Sequence, residues 1–178
     1  MILLLGGTGY IGQAFAAELG RRQRPFVALS RKELDYTRFD LLLGFLKSRK
    51  PEFVVNAAGY TGKPNVDACE VTKADTLVGN TLLPQTIGHA CAAMNIPWGH
   101  VSSGCIYSGA KIKSGDQVRA EKDMTKPEMR QLIAEAPENI LGFTETDTPN
   151  FSFRDGPCSF YSGTKALGEE SMAGVGQS

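Results

Sequence analysis

An α/β fold, with a Rossmann-type doubly wound parallel sheet in three αβα layers, is predicted by three observations. An apolar run, Ile2 to Leu5, ends directly in glycine. Gly6, Gly9 and Gly12 follow at the spacing that turns a buried strand into a helix. Short apolar runs then alternate with stretches of helical periodicity, the signature of parallel βαβ units with right-handed crossovers.

Each element has its own reason. Ile2 to Leu5 is apolar at consecutive positions, as a strand buried on both faces must be. Tyr10 to Leu19 brings Ile11, Phe15 and Leu19 into one helical stripe. Pro25 to Leu29 reads as a second strand and Glu33 to Tyr36 as a weak third. Phe39 to Arg49 reads as a helix, and Phe53 to Asn56 as another buried strand. Val71 to Met94 reads as a long helix that Pro84 breaks or kinks. Ile96 to Ser102 is a further strand.

From Ser108 to Asn150 the character changes to charged residues with three prolines and few apolar positions. This segment is expected to be a partly ordered surface insertion. Within it, Thr125-Lys-Pro-Glu128 has the form of a capping box opening a short helix to about Glu135. The 178 residues otherwise form one domain by length.

Composition narrows the function classes. Nineteen basic residues balance nineteen acidic ones, which argues against nucleic acid or a charged membrane surface as partner. Cys69, Cys91, Cys105 and Cys158 are scattered without a CxxC pair, so no metal site or disulfide framework is expected, and a reducing cytoplasm fits. No apolar run approaches the roughly 18 residues of a membrane span.

The chemistry is carried by two ends of the chain. Gly6, Gly9 and Gly12 permit a tight turn and let backbone N–H groups at Gly9, Tyr10, Ile11 and Gly12 approach a pyrophosphate. Tyr161 and Lys165 stand four apart on a predicted helix, their Cβ atoms about 5–6 Å apart. An ammonium there is expected to lower the phenol's pKa, letting Tyr161 protonate a carbonyl oxygen as hydride arrives at the carbon.

Between them lie the remaining candidates. After strand two, Ser30-Arg31-Lys32 stands where NAD-binding chains place a carboxylate, so NADP(H) is favoured over NAD(H). Asp35 is placed to bond an adenine amino group, or to cap a turn. Ala57, Ala58 and Gly59 let the chain pass beneath a ribose, and Asn80 could support a water chain to Lys165 or be a surface amide. Ser103 and Cys105, alternating along a strand end, are expected to face one side, with the Ser103 hydroxyl able to stabilise a developing oxyanion. His89 and His100 receive no role.

Taken in order, Gly6-x-x-Gly9-x-x-Gly12, Asn56-Ala-Ala-Gly59, Asn80, Ser103 and Tyr161-x-x-x-Lys165 resemble an extended short-chain dehydrogenase/reductase. Thr61 to Glu70 and Gly142 to Phe151 resemble the nucleotide-rhamnose 3,5-epimerase/4-reductases, a branch near the dTDP-4-dehydrorhamnose reductases. The resemblance implies that Ser103 orients the carbonyl, Tyr161 donates the proton, and Lys165 binds the nicotinamide ribose. It implies Cys105 as one acid/base of epimerisation. The implied substrate is a nucleotide-activated 4-keto-6-deoxy sugar; a homodimer is compatible with the sequence but not specified by it. Extended reductases continue into a substrate lobe, and most of it is expected to be lacking here, because the chain stops thirteen residues after Lys165. The alternatives are a non-catalytic NADP-binding module, a regulatory subunit or an inactive fragment.

Overall fold

Strands β1 (Ile2–Leu5), β2 (Phe26–Leu29), β3 (Phe53–Asn56) and β4 (Trp98–His100) pair in parallel in the order β2-β1-β3-β4. This computed structural model describes residues 1–175; positions 176–178 of the glycine-rich tail lie outside them. The register sets Leu5 opposite Leu29 and Asn56, and Asn56 opposite His100. The carboxyl ends of all four strands are therefore level, and the turns that leave them open on one edge.

Helix α1 (Tyr10–Arg21) packs on β1 and β2. Helices α2 (Phe39–Arg49) and α4 (Leu83–Ala93) pack on each other, and α4 also covers β3 and β4. Leu3, Leu5, Leu42, Leu46, Val54, Ile87 and Cys91 form the core between sheet and helices. Each large aliphatic side chain buried there contributes about 1.5–3 kcal/mol.

The elements at β1, α2 and β3 have the bounds their apolar patterns predict. The expected strand at Glu33 to Tyr36 does not form. Glu33 folds back so that its Oε2 accepts both the N–H and the hydroxyl of Ser30, each at 2.7 Å, and the chain turns instead of extending. Tyr36 is tucked into the core at 2 % exposure.

The expected long helix starts at Lys73 as α3 (Lys73–Leu77) and runs through a π turn over Val78–Leu82 into α4. Pro84 lacks the N–H that would bond the Asn80 carbonyl, so the helix widens just before it and continues. The expected strand at Ile96 to Ser102 is shorter, and Ser103 to Ile106 lies in a 3₁₀ turn beyond it.

The segment after Ser108 contains an antiparallel sheet that periodicity left unpredicted. Strands β5 (Ala110–Ser114), β6 (Gln117–Glu121) and β7 (Ile140–Leu141) pair in the order β6-β5-β7, with α5 (Pro127–Glu135) between β6 and β7. Gly115 at φ +60° supplies the left-handed corner of the β5–β6 hairpin. The capping box does not form: Asp123 Oδ1 takes the Thr125 N–H and hydroxyl, and Lys126 is the N-cap residue. Two contacts tie the segment's base. Asn150 exchanges two hydrogen bonds with the Ser108 backbone, and Tyr107 donates its hydroxyl to the carbonyls of Thr144 and Asp147.

Candidate active site

The turn after β1 is tight because glycine makes it so. Gly6 has φ +81°, and a Cβ there would lie 2.7 Å from the Ala58 nitrogen. A Cβ on Gly12 would run into the Gly6 carbonyl oxygen, so α1 can start this close to β1 only with glycine at that position. The helix begins without a side-chain cap or an acidic residue in its first turn. Its free N–H groups thus remain donors for an anion.

Above these N–H groups runs a groove in two continuous parts. One, of about 490 Å³, is lined by Gly6, Gly9, Arg31, Tyr36 and Ala57 to Gly59. The other, of about 230 Å³, shares Gly9 and Ala57 to Gly59 and continues past Tyr10, Ile11 and Ser102 to Tyr161 and Lys165. Gly12 is buried beneath the groove, as the helix start requires.

Ser30, Asp35 and Asn80 are not part of the groove's lining. Ser30 is held by Glu33, whose carboxyl is kept below its usual range, first by the Ser30 N–H. Asp35 Oδ1 accepts from the N–H and hydroxyl of Thr37. Asn80 is fully buried in the π turn and is no surface amide. Its Oδ1 accepts the Tyr60 N–H and its Nδ2 donates to the Tyr60 carbonyl, both at 2.9 Å, so it pins the floor of the groove. A Cβ on Gly59 would lie 3.3 Å from both Asn80 Oδ1 and Lys165 Nζ, which marks how tightly these three close.

Helix α6 (Phe160–Met172) carries Tyr161 and Lys165. Its first turn is capped by Ser159, which accepts the Ser162 N–H, and by Glu70 from a distant 3₁₀ turn, which accepts the Phe160 N–H at 2.6 Å. Lys165 is 5 % exposed, and Nζ donates to the Val101 carbonyl at 3.4 Å. Burial lowers its pKa, opposed by Glu169 one turn on.

The Tyr161 phenol does not show the lowering expected from Lys165. Burial raises its pKa, and the opposing influence is the Ser103 hydroxyl, not the lysine. Lys165 Nζ instead donates one hydrogen bond to the Val101 carbonyl.

Ser103 and Cys105 are brought close to Tyr161, but not by strand alternation. Both lie in the turn beyond β4, where Ser103 Oγ accepts the Cys105 N–H at 3.2 Å. Cys105 is exposed, and a thiolate there would raise the Tyr161 pKa. On the far side of Ser103 a second cleft of about 600 Å³ opens toward the segment after Ser108, lined by His100, Tyr107, Phe143, Glu145 and Glu169 among others.

Four residues near this site were missed by sequence reasoning. Ser102 lines both clefts, and its Oγ is buried without a hydrogen-bond partner. His100 faces the second cleft. Glu33 and Glu70 act through contacts three and ninety residues away. A histidine followed by serines at a strand's carboxyl end is a usable signal for the first two; nothing in the sequence marks Glu70.

Parallel strands with level ends, a glycine turn into an uncapped helix and a groove between them define a Rossmann-type domain. The chain belongs to the RmlD substrate binding domain family, whose model matches residues 1–131.

It is 31% identical over 168 residues to an Arabidopsis thaliana trifunctional UDP-glucose 4,6-dehydratase/UDP-4-keto-6-deoxy-D-glucose 3,5-epimerase/UDP-4-keto-L-rhamnose-reductase, covering 94% of this chain and 21% of the relative. A bifunctional dTDP-4-dehydrorhamnose 3,5-epimerase/dTDP-4-dehydrorhamnose reductase of the same plant is 35% identical over 128 residues, 70% of this chain and 33% of that one. Among solved structures, a dTDP-4-dehydrorhamnose reductase from Clostridium acetobutylicum superposes with a TM-score of 0.69 at 22% identity, covering 98% of this chain and 49% of that one. A UDP-rhamnose synthase from Acanthamoeba polyphaga mimivirus gives the same TM-score and identity over 96% and 50%. The chain thus spans about half of the solved structures and about a fifth of the trifunctional relative. No helix among the described residues is long and apolar enough to cross a membrane.

Proposed function

We propose that this chain carries the coenzyme-binding and proton-donating half of an NADPH-dependent reductase for a nucleotide-activated 4-keto-6-deoxy sugar. The observation that carries the reading is Ser103, Tyr161 and Lys165 arranged where the groove over Gly9 meets the second cleft. A bound nicotinamide coenzyme would supply hydride. The uncapped start of α1 and the Gly6–Gly9 turn fit its pyrophosphate, and Lys165 would reach its ribose.

The residues divide the work. The Ser103 hydroxyl donates to the carbonyl oxygen, and the Tyr161 phenol hands it a proton as negative charge develops there. Lys165, fixed by the Val101 carbonyl, holds positive charge beside that oxygen. Cys105, in the same turn as Ser103, is assigned proton exchange at the carbon next to the carbonyl, where an activated thiol suits the task.

NADP(H) is preferred over NAD(H) in this reading because Arg31 lines the groove and can pair with a 2′-phosphate. The Glu33 carboxylate on Ser30 opposes a phosphate at Ser30 itself, so Arg31 carries the preference. Arg31→Asp should weaken NADPH binding far more than NADH binding, and equal losses would discredit the preference. Four free cysteines fit a reducing, cytoplasmic setting.

The decisive experiment incubates the chain with NADPH deuterated at the transferable position and UDP-4-keto-6-deoxy-D-glucose, then examines the sugar by mass spectrometry. Deuterium at the former carbonyl carbon supports the reductase. Tight NADPH binding without transfer favours a non-catalytic module. Exchange of solvent deuterium into the sugar, lost in Cys105→Ser, would support epimerisation.

A further inference from the structure

His100 ends β4 and takes no part in the proton transfer above. Its ring is oriented from behind. The Asn56 side-chain oxygen accepts the Ala58 N–H at 3.0 Å, which turns the amide's NH₂ toward His100 Nδ1 at 2.9 Å. An amide NH₂ can only donate, so Nδ1 accepts and the ring proton sits on Nε2. Burial and then the Lys165 ammonium push the imidazole's pKa down to about 4, so the ring is neutral near pH 7.

Among the described residues, Ser102 Oγ is the one buried side-chain polar atom without a partner. His100 and Ser102 both line the cleft beside Ser103.

The rest of the lining says what it meets. Tyr107 and Phe143 stack with ring centroids 4.9 Å apart and 7° between planes, forming a flat wall. Glu145 and Glu169 add two carboxylates, and among the described residues no lysine or arginine lines the cleft. This lining repels a diphosphate but suits an uncharged ring bearing hydroxyls, which packs on aromatic faces and exchanges hydrogen bonds at its rim.

We propose that His100 is a substrate-contacting residue whose Nε2–H donates to a sugar oxygen, in a cleft that takes the neutral hexose and leaves the diphosphate outside. This rests on the sugar-reductase reading and deepens it.

The chain has only two histidines, His89 and His100, so long-range ¹H–¹⁵N spectra of the labelled full chain resolve both, with His89→Gln for assignment. His100 is expected as the Nε2–H tautomer, unchanged from pH 7 to 5. With NADPH present, UDP-4-keto-6-deoxy-D-glucose should shift its Nε2 resonance, while UDP alone should not. An Nδ1–H tautomer overturns the Nε2–H donor. A resonance unmoved by the sugar nucleotide, or moved equally by UDP, overturns the contact. Deuterium transfer to the sugar with His100 unmoved would sink this assignment and leave the reductase standing; absence of NADPH binding would sink the reductase reading itself.

Discussion

The groove over Gly9 and the cleft beside Ser103 meet at Ser102, yet they are built in opposite ways. The groove is mostly backbone: the Gly6 turn, the start of α1 and the Ala57–Gly59 chain, all leaving strand ends close to their motifs. The cleft is made of residues from β4 and the turn after it, from Phe143 to Glu145, and from α6. Glycine spacing announces a backbone site, because only glycine permits the close approach. A cleft assembled from three stretches far apart in the chain has no comparable spacing to read.

Substitutions should separate the two. Apart from Tyr161 itself, the largest effect is expected near their junction, where Lys165→Met should lower turnover roughly 10²-fold and also weaken NADPH binding, because the lysine lines the groove one helical turn from Tyr161. Unchanged NADPH affinity, measured by coenzyme fluorescence, would contradict a coenzyme contact for Lys165.

His100 gives the cleft a pH signature. Its pKa is about 4 in the folded chain, against about 6.5 when unfolded, so the unfolded state binds more protons between those values. Stability from this group is complete above about pH 6.5. It should fall by on the order of 3 kcal/mol as the pH drops toward 4, and level off below. Urea midpoints at pH 7 and 4.5 check this, and His100→Gln should flatten the difference.

On the groove side, Asn80→Ala should leave the buried Tyr60 N–H and carbonyl without partners, destabilising the chain by about 1–3 kcal/mol and loosening NADPH binding. Thermal unfolding with and without NADPH measures both. The smallest effect should come from Lys111→Met in β5. Lys111, at 2.6 Å, is the leading cause holding the Asp147 carboxyl below its usual range. That contribution is present above the ordinary carboxylate pKa and lost as the pH falls through the lowered one. The variant should therefore change stability slightly at pH 7 and not at pH 2.

Much of the sheet was legible because short apolar runs such as Ile2 to Leu5, ending in glycine, and Phe53 to Val55, preceded by Pro51, are bounded as buried strands are. The expected third strand was not, because Glu33's bond to Ser30 is a local choice that propensity does not register. The β5–β6 hairpin carried a readable signal, Ile112 and Val118 flanking Gly115-Asp116, hidden by its lysines. The side-chain sequence suggested that Lys165 would tune Tyr161. In the folded chain Lys165 donates to the Val101 carbonyl, and the influence opposing burial at the phenol is the Ser103 hydroxyl. Burial of Asn80 in a π turn also follows from packing against α6, which local sequence does not encode.

The account turns on whether the phenol of Tyr161 is the proton donor. NADPH binding and NADPH oxidation with UDP-4-keto-6-deoxy-D-glucose should be measured side by side for the native chain and Tyr161→Phe. The expected result is unchanged coenzyme affinity with oxidation reduced by roughly 10²–10⁴-fold. Oxidation at the native rate in the variant would contradict it.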